Sequence, residues 1–373
     1  MCAPTAASHL IGSVSGASSR PFTLTEVWAK ILSRQLINTT KSDNGFTFSS
    51  IANDKGFSGA QTPWPFILAD GRPHEQRTIR LDGTVFEFSP FELGSFDRTL
   101  NGFVPLRYAG STFNNGQLDR SSCVRGYDNA GYVMATASTL FIGAYNVLEM
   151  QLDPSSFRVL GIFQLITNIA EGVLSTADRF DILDSVWEPN PFRGWEPSTN
   201  PVADEKNLHL VDAGLDRQNI PFHPHIFRDR RVDVVFSVDS SADTSFNWPD
   251  GSSAVATYRR SLMNTGDRTS FPVIPGQDTF LNEGLNTRPK RDSVVRNGWA
   301  VVTQLNSTRD RDWPSCVGCA ILLRSFQRTG APVPARCSKC FNNYCWNGRI
   351  DESKPAPYEP QVLNSTALDS WTI

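Results

Sequence analysis

Neither sign of charge dominates this sequence: 35 lysines and arginines stand against 38 aspartates and glutamates, for a formal net charge of −3. So even a balance offers no broad field to nucleic acid or to an anionic membrane, and no nucleic-acid partner is expected. Met1–Arg20 lacks the continuous apolar run of a secretory leader, so no signal peptide is legible there. No internal repeat is evident. The uncharged stretch Ala130–Leu148 nearly reaches bilayer length, but Thr136, Ser138, Thr139 and Asn146 make it too polar for lipid. It is predicted to be a buried helix whose small residues pack against a sheet, and no transmembrane helix is expected.

What is present suffices for a sizeable core. With 39% apolar and 11% aromatic side chains in 373 residues, the chain can form one large domain or two modest ones. Seven cysteines and three glycosylation sequons, at Asn38, Asn306 and Asn364, point outside the cytosol.

Thr23 with Glu26 reads as a capping box, and Val27, Ile31, Leu32 and Leu36 recur at helical spacing, predicting a helix that ends near Asn38. A second amphipathic helix is predicted over Phe157–Leu174. Pro65–Ala69, Leu208–Val211 and Val232–Val238 read as buried strands, the last two running into polar turns at Asp212-Ala213-Gly214 and Asp239-Ser240-Ser241. In open α/β sheets the carboxyl ends of parallel strands carry the sites, which singles out Asp212 and Asp239.

A hydrolase serine on a sharp strand-to-helix turn needs flanking glycines, and only Gly56-Phe57-Ser58-Gly59 has that spelling. Ala52–Lys55 before it is no strand, and Pro63 and Pro65 stop any following helix, so Ser58 reads as an ordinary loop serine. Asp212 has two readings, a general base held rigidly at a strand end or a side chain that only caps the following turn. His209, His223 and His225 read as surface or packing residues, because Pro221–His225 reads as an extended loop that fixes no ligand geometry. Cys316, Cys319, Cys337 and Cys340 have the C-x-x-C spacing of a zinc ribbon, while the nearby Cys345 and the sequons favour disulfides.

Several longer blocks then become informative together: Gly102–Leu106, Cys123–Gly131, Leu210–Pro221, Asp239–Thr244 and Trp313–Ala320. In sequence and in order they resemble the fungal phospholipase B (lysophospholipase) family, over about Phe22 to Pro360. The resemblance implies an α/β fold with a central mixed sheet flanked by helices, of the cytosolic phospholipase and patatin-like type. It also implies an incomplete N-terminal side and a Cys-rich C-terminal subregion. The segments expected are 1–20 as a leader without a recognisable signal, 21–300 as a partial catalytic domain, and 301–373 as its Cys-rich C-terminal part.

The implied reaction is hydrolysis of fatty acyl esters of phospholipids and lysophospholipids at a membrane or micelle surface, by a Ser-Asp dyad without cofactor or metal. Asp212 matches the family's general base, in Val-Asp-Ala-Gly where relatives read Val-Asp-Gly-Gly, and Ala213 would be strained if that position requires a positive φ. The nucleophile's Gly-Leu-Ser-Gly-Gly block does not occur in this sequence. A further segment is missing between Pro289 and Asn297. The resemblance implies disulfides among Cys316, Cys319, Cys337, Cys340 and Cys345 and a secreted or cell-surface glycoprotein, and the odd count leaves at least one of the seven cysteines unpaired. Asp212 is expected to end a central strand and to face a cleft rather than bulk solvent. The alternative function is a non-catalytic secreted glycoprotein that binds lipid on the same scaffold.

Overall fold

The computed structural model describes residues 3–4, 23–37, 46–74, 76, 78–141, 181–241, 243–244, 249–287 and 313–356. The predicted helix Phe157–Leu174 and all three sequons lie outside the described residues. The chain divides into two compact units, Met1–Arg217 and Gln218–Ile373.

The first unit is built on a six-stranded sheet. Its strands are β1 (Ile67–Gly71), β2 (Val85–Phe88), β3 (Glu92–Ser95), β4 (Gly102–Pro105), β5 (Ser185–Trp187) and β6 (Leu208–Asp212), in the spatial order β4-β3-β2-β1-β6-β5. Every neighbouring pair is antiparallel. Helices against a central sheet are as expected, but the strand directions are antiparallel throughout these described strands. The rule about the ends of parallel strands therefore does not apply to β6.

Because side chains alternate along a strand, the register sorts them onto two faces. One face carries Ala69, Phe86, Phe88, Leu93, Val104, Trp187, Leu208 and Leu210, all buried in the main core. Trp187 lies at the centre of that core, its ring 5.2 Å from Phe88, 5.7 Å from Tyr127 and 5.5 Å from Tyr132. The other face carries Val211, packed with Leu24, Phe141 and Leu183, together with Asp70, Glu87 and His209, all buried. Beside His209 the guanidinium of Arg72 is paired with Asp184, at side-chain exposures of 1% and 0%, and the His209 Nδ1 is 3.4 Å from the same carboxylate.

Helix α1 (Leu24–Leu36) forms where the apolar spacing predicted it and ends at the cap residue Ile37. Thr23 is its N-cap residue, but its side chain makes no cap hydrogen bond; its hydroxyl is buried and the Glu26 amide bonds to the Thr23 carbonyl instead, at 3.1 Å. α1 packs on α2 (Ala130–Thr136) at Gly131, where a Cβ would stand 1.8 Å from Ser33 Oγ and 2.9 Å from the Ala29 carbonyl. Only glycine allows that approach.

The predicted helix over 130–148 is buried at its start but stops at Thr136, and residues 142–148 lie outside the described set. Thr136, Ser138 and Thr139 each donate a hydroxyl hydrogen bond to the carbonyl four residues back, at 2.8, 2.9 and 2.6 Å. Such bonds compete with the backbone for helix carbonyls, which is a physical reason for the early end. No helix among the described residues is long and apolar enough to cross a membrane.

In the second unit, α3 (Trp313–Thr329) and α4 (Ala335–Tyr344) form a hairpin closed by Cys316–Cys340 and Cys319–Cys337, both with Cα atoms 5.2 Å apart. Cysteines three residues apart share one helix face. The outer-with-outer and inner-with-inner pairing therefore follows from two helices running in opposite directions. The four sulfurs are spent in two covalent bonds, so the spacing does not make a zinc ribbon. Cys345, expected to join them, takes part in neither bridge and is exposed.

One predicted strand is absent: Val232–Val238 has no strand partner among the described residues and is exposed.

Two substitutions test these contacts. Asp184→Ala should destabilise the first unit by about 3–5 kcal/mol, because it strands a buried guanidinium, as urea unfolding would register. Replacing Cys319 and Cys337 together by serine should cost about 2–3 kcal/mol in calorimetry, at the low end for a loop of this length because Cys316–Cys340 still closes the hairpin.

Candidate functional site

Asp212 is the last residue of β6, opposite Ala69, with sheet neighbours on both sides of its strand. Its amide donates to the Thr139 carbonyl at 3.2 Å, which ties the strand end to the segment following α2. The chain then turns through a 3-10 segment, Ala213–Asp216, and Arg217 closes it in the left-handed region at φ 75°. Ala213 is not among the positive-φ residues, so the strain anticipated for alanine there does not arise.

The carboxylate accepts a hydrogen bond from the Gly214 amide at 2.6 Å. Both readings of Asp212 thus have a counterpart in the geometry: it caps the following turn, and it is held at the end of a buried strand. A cap of this kind accounts for one lone-pair direction only and leaves the second oxygen for other chemistry.

Asp212 is half-buried, and its pKa is pushed up to about 6. Burial is the main cause; the Gly214 amide acts in the opposite direction, and the buried neighbour Asp216 adds a further upward push. A carboxylate raised this far by burial and a like charge, on a rigid strand end, is a candidate functional group. A cleft of about 220 Å³ opens near the Gly71 end of β1, bordered by Pro73, Arg80, Asp82 and Thr84; Asp212 is not in its lining.

The other sequence candidates go elsewhere. Ser58 ends a four-residue helix, Lys55–Ser58, capped by Asp54 and preceded by the 3-10 turn Phe48–Asn53. It is exposed and its hydroxyl donates to the Lys55 carbonyl at 3.4 Å, so neither the strand nor the sharp turn of a nucleophile is present. Asp239 does not end a strand, because Val232–Val238 is not one; its carboxylate accepts from the Ser241 amide at 3.0 Å.

Two of the histidines fit the packing alternative of the sequence reading, while the loop expected around His223 and His225 does not form. His209 is buried beside Asp184, and His223 is buried with its ring 4.9 Å from Phe227. His223–Ile226 is a short helix rather than part of an extended loop, since Pro224 occupies its first turn, where a missing amide costs nothing. Among the described residues no group of three or more His, Cys, Asp or Glu side chains is arranged to hold a metal ion.

The buried set Arg72, Asp184 and His209 was not foreseen. Its members lie 112 and 25 positions apart, and its one local signal is a histidine inside the apolar run Leu208–Val211.

The sequence profile of the lysophospholipase catalytic domain matches residues 15–291 and 290–351. The chain belongs to the lysophospholipase catalytic-domain family. The match is in two stretches that meet at 290–291, where the sequence reading placed a missing segment. Lysophospholipase 1 of Aspergillus fumigatus is 42% identical over 401 residues, covering 95% of this chain and 62% of that protein. A lysophospholipase of Penicillium chrysogenum is 40% identical over 382 residues, covering 91% and 61%.

This lysophospholipase-family chain thus spans about six tenths of the length of the curated relatives it matches. Among solved structures, human GIVD cytosolic phospholipase A2 aligns at 19% identity and a TM-score of 0.47, over 72% of this chain and 34% of that one.

The pKa of Asp212 leads to a stability test. Raised above the unfolded value near 3.8, the group favours the fold while protonated, and that contribution is lost as pH rises through about 6. Asp212→Asn keeps the acceptor for Gly214 and removes the charge. It should raise the unfolding free energy at pH 7.5 by an amount on the order of 1 kcal/mol, seen as a higher melting temperature, with the difference vanishing near pH 4.

Proposed function

We propose that this protein acts in hydrolysis of fatty acyl esters of lysophospholipids and phospholipids, with Asp212 as the general base of a Ser-Asp dyad. The single observation that carries the reading is the half-buried, pKa-raised carboxylate at the end of β6, a strand paired on both edges next to the sheet's edge strand β5, within a segment that the family profile matches. The family's Gly-Leu-Ser-Gly-Gly block does not occur in this sequence, and Ser58 has neither the strand nor the turn a nucleophile needs.

In the reaction, the Asp212 carboxylate takes the proton of the serine hydroxyl as its oxygen attacks the ester carbonyl. The proton passes to the leaving alkoxide, which departs as the alcohol product, and an acyl-serine remains. Water then repeats the sequence: its proton goes to Asp212, its oxygen to the acyl carbon, and the fatty acid leaves as the serine recovers its proton. A base with a pKa of about 6 is ionised at neutral pH yet still basic enough to accept the proton in the transition state. No metal or cofactor takes part in these steps.

The substrate's natural setting is a membrane or micelle surface. The cystine-closed hairpin supports an oxidising location, secreted or at the cell surface. A non-catalytic lipid-binding role on the same scaffold is the second reading, favoured by the absence of the family's serine block from this sequence.

The purified 373-residue chain should release no fatty acid from lysophosphatidylcholine above background. Joined to the part of Aspergillus fumigatus lysophospholipase 1 that it does not span, it should become active, with an acid limb near pH 6 in kcat/KM. Asp212→Asn in that longer chain should lower kcat by about a thousandfold or more, with folding intact by circular dichroism. Hydrolysis by the short chain, abolished by Ser58→Ala, would instead assign the nucleophile to Ser58.

A further inference from the structure

Between the turn Arg228–Arg230 and Asp239 runs a segment whose sequence and surroundings disagree. Val232, Val234, Phe236 and Val238 alternate with Asp233, Val235 and Ser237, so an extended chain puts four apolar side chains on one face. That is the pattern of a strand half-buried in a sheet. Yet the four are 42%, 36%, 70% and 53% exposed, and Val235 on the other face is 41% exposed.

Among the described residues the segment pairs with no strand, and its amides and carbonyls from 232 to 238 take part in no backbone hydrogen bond. Its one fixed point is Asp233, whose carboxylate accepts from Arg328 Nη1 at 2.9 Å on helix α3. Asp233 is thereby held on the side opposite the apolar face. Backbone groups of a β-branched, alternating run seek a ladder, and an exposed strand without one is a template for strand addition.

We propose that Val232–Val238 is a docking strand for another β-strand, supplied by the portion of the family's chain length that these 373 residues do not span. The inference rests on the family assignment and not on the catalytic role of Asp212. The relatives are 42% and 40% identical over alignments that cover 95% and 91% of this chain, and this chain covers only 62% of lysophospholipase 1. They therefore hold further polypeptide from which a strand can come. Four aligned apolar side chains suit a partner that also covers one face, as a strand within a sheet does, and not a peptide that touches the edge alone.

The test is hydrogen exchange read by mass spectrometry over residues 232–238. The 373-residue chain is measured alone, and again after addition of a polypeptide comprising the part of Aspergillus fumigatus lysophospholipase 1 outside the alignment. Alone, the amides of Asp233–Val238 should exchange within seconds; with the polypeptide they should slow at least a hundredfold. Val235→Pro should weaken capture of the polypeptide at least tenfold. It should leave the melting temperature of the short chain unchanged, because no backbone bond of Val235 is lost.

Free exchange in the presence of bound polypeptide, or failure of the polypeptide to bind, overturns the proposal. Protection already present in the short chain, with a doubled mass in light scattering, overturns it in favour of a second copy as the occupant. Protection without hydrolysis by the complex would leave this inference standing and count against the catalytic reading. Hydrolysis without protection would do the reverse.

Discussion

The pairing of Leu208–Asp212 with Ile67–Gly71 is the contact on which the first unit depends. It joins segments some 140 positions apart, with Leu210 opposite Gly71 and Asp212 opposite Ala69. Closing so long a loop costs conformational entropy before any contact is made, although the cost grows only slowly with length. The return comes from burial: Leu208, Leu210 and Val211 are fully enclosed in a strand that is paired along both edges. Fully burying side chains of this kind is worth about 1.5–3 kcal/mol each. A strand buried on both faces needs an almost unbroken apolar run, and Leu208-His209-Leu210-Val211 departs from that once.

The exception explains what lies behind the sheet. His209 points to the face where Asp70, Glu87 and the Arg72–Asp184 pair are buried. Buried ions cost several kcal/mol each in lost hydration and gain stability only through good partners, so such a layer contributes little net stability while remaining intolerant of single removals. It also fixes register: a slip of one residue would move His209 into the apolar core around Trp187 and bring Leu208 and Leu210 against the ions. Asp212 inherits its position from that register. Its raised pKa is a consequence of the same burial, now applied to a carboxylate with one amide donor and a like charge nearby.

The second unit relies on covalent closure where its helices bury little. Around Cys316, Cys319, Cys337 and Cys340 the packed apolar side chains are Phe326 and Phe341, whereas Ile321, Leu322 and Val333 are exposed. Two bridges in register hold the helical hairpin without a large core, the usual solution for small subregions of proteins from oxidising compartments. The Val232–Val238 run shows the other outcome, a sequence suited to burial that meets no strand partner among the described residues.

Local chemistry decided much of what was legible in advance. Apolar spacing was enough for α1, the β-branched and apolar runs for β1 and β6, and the polar turn after Val211 for the place of Asp212, because each signal lies within a few neighbouring residues. The cysteine spacing alone left zinc and disulfides open, since both chemistries use the same side chains on one helix face; only the antiparallel hairpin, with each sulfur facing one partner, decided it. The antiparallel direction of the sheet, the buried Arg72–Asp184–His209 set and the raised pKa of Asp212 depend on residues far apart in the chain, and no local pattern encodes those meetings. Val232–Val238 marks the boundary most clearly. Its own residues determine that it is strand-like, but whether a strand forms depends on hydrogen-bonding groups that another segment must bring.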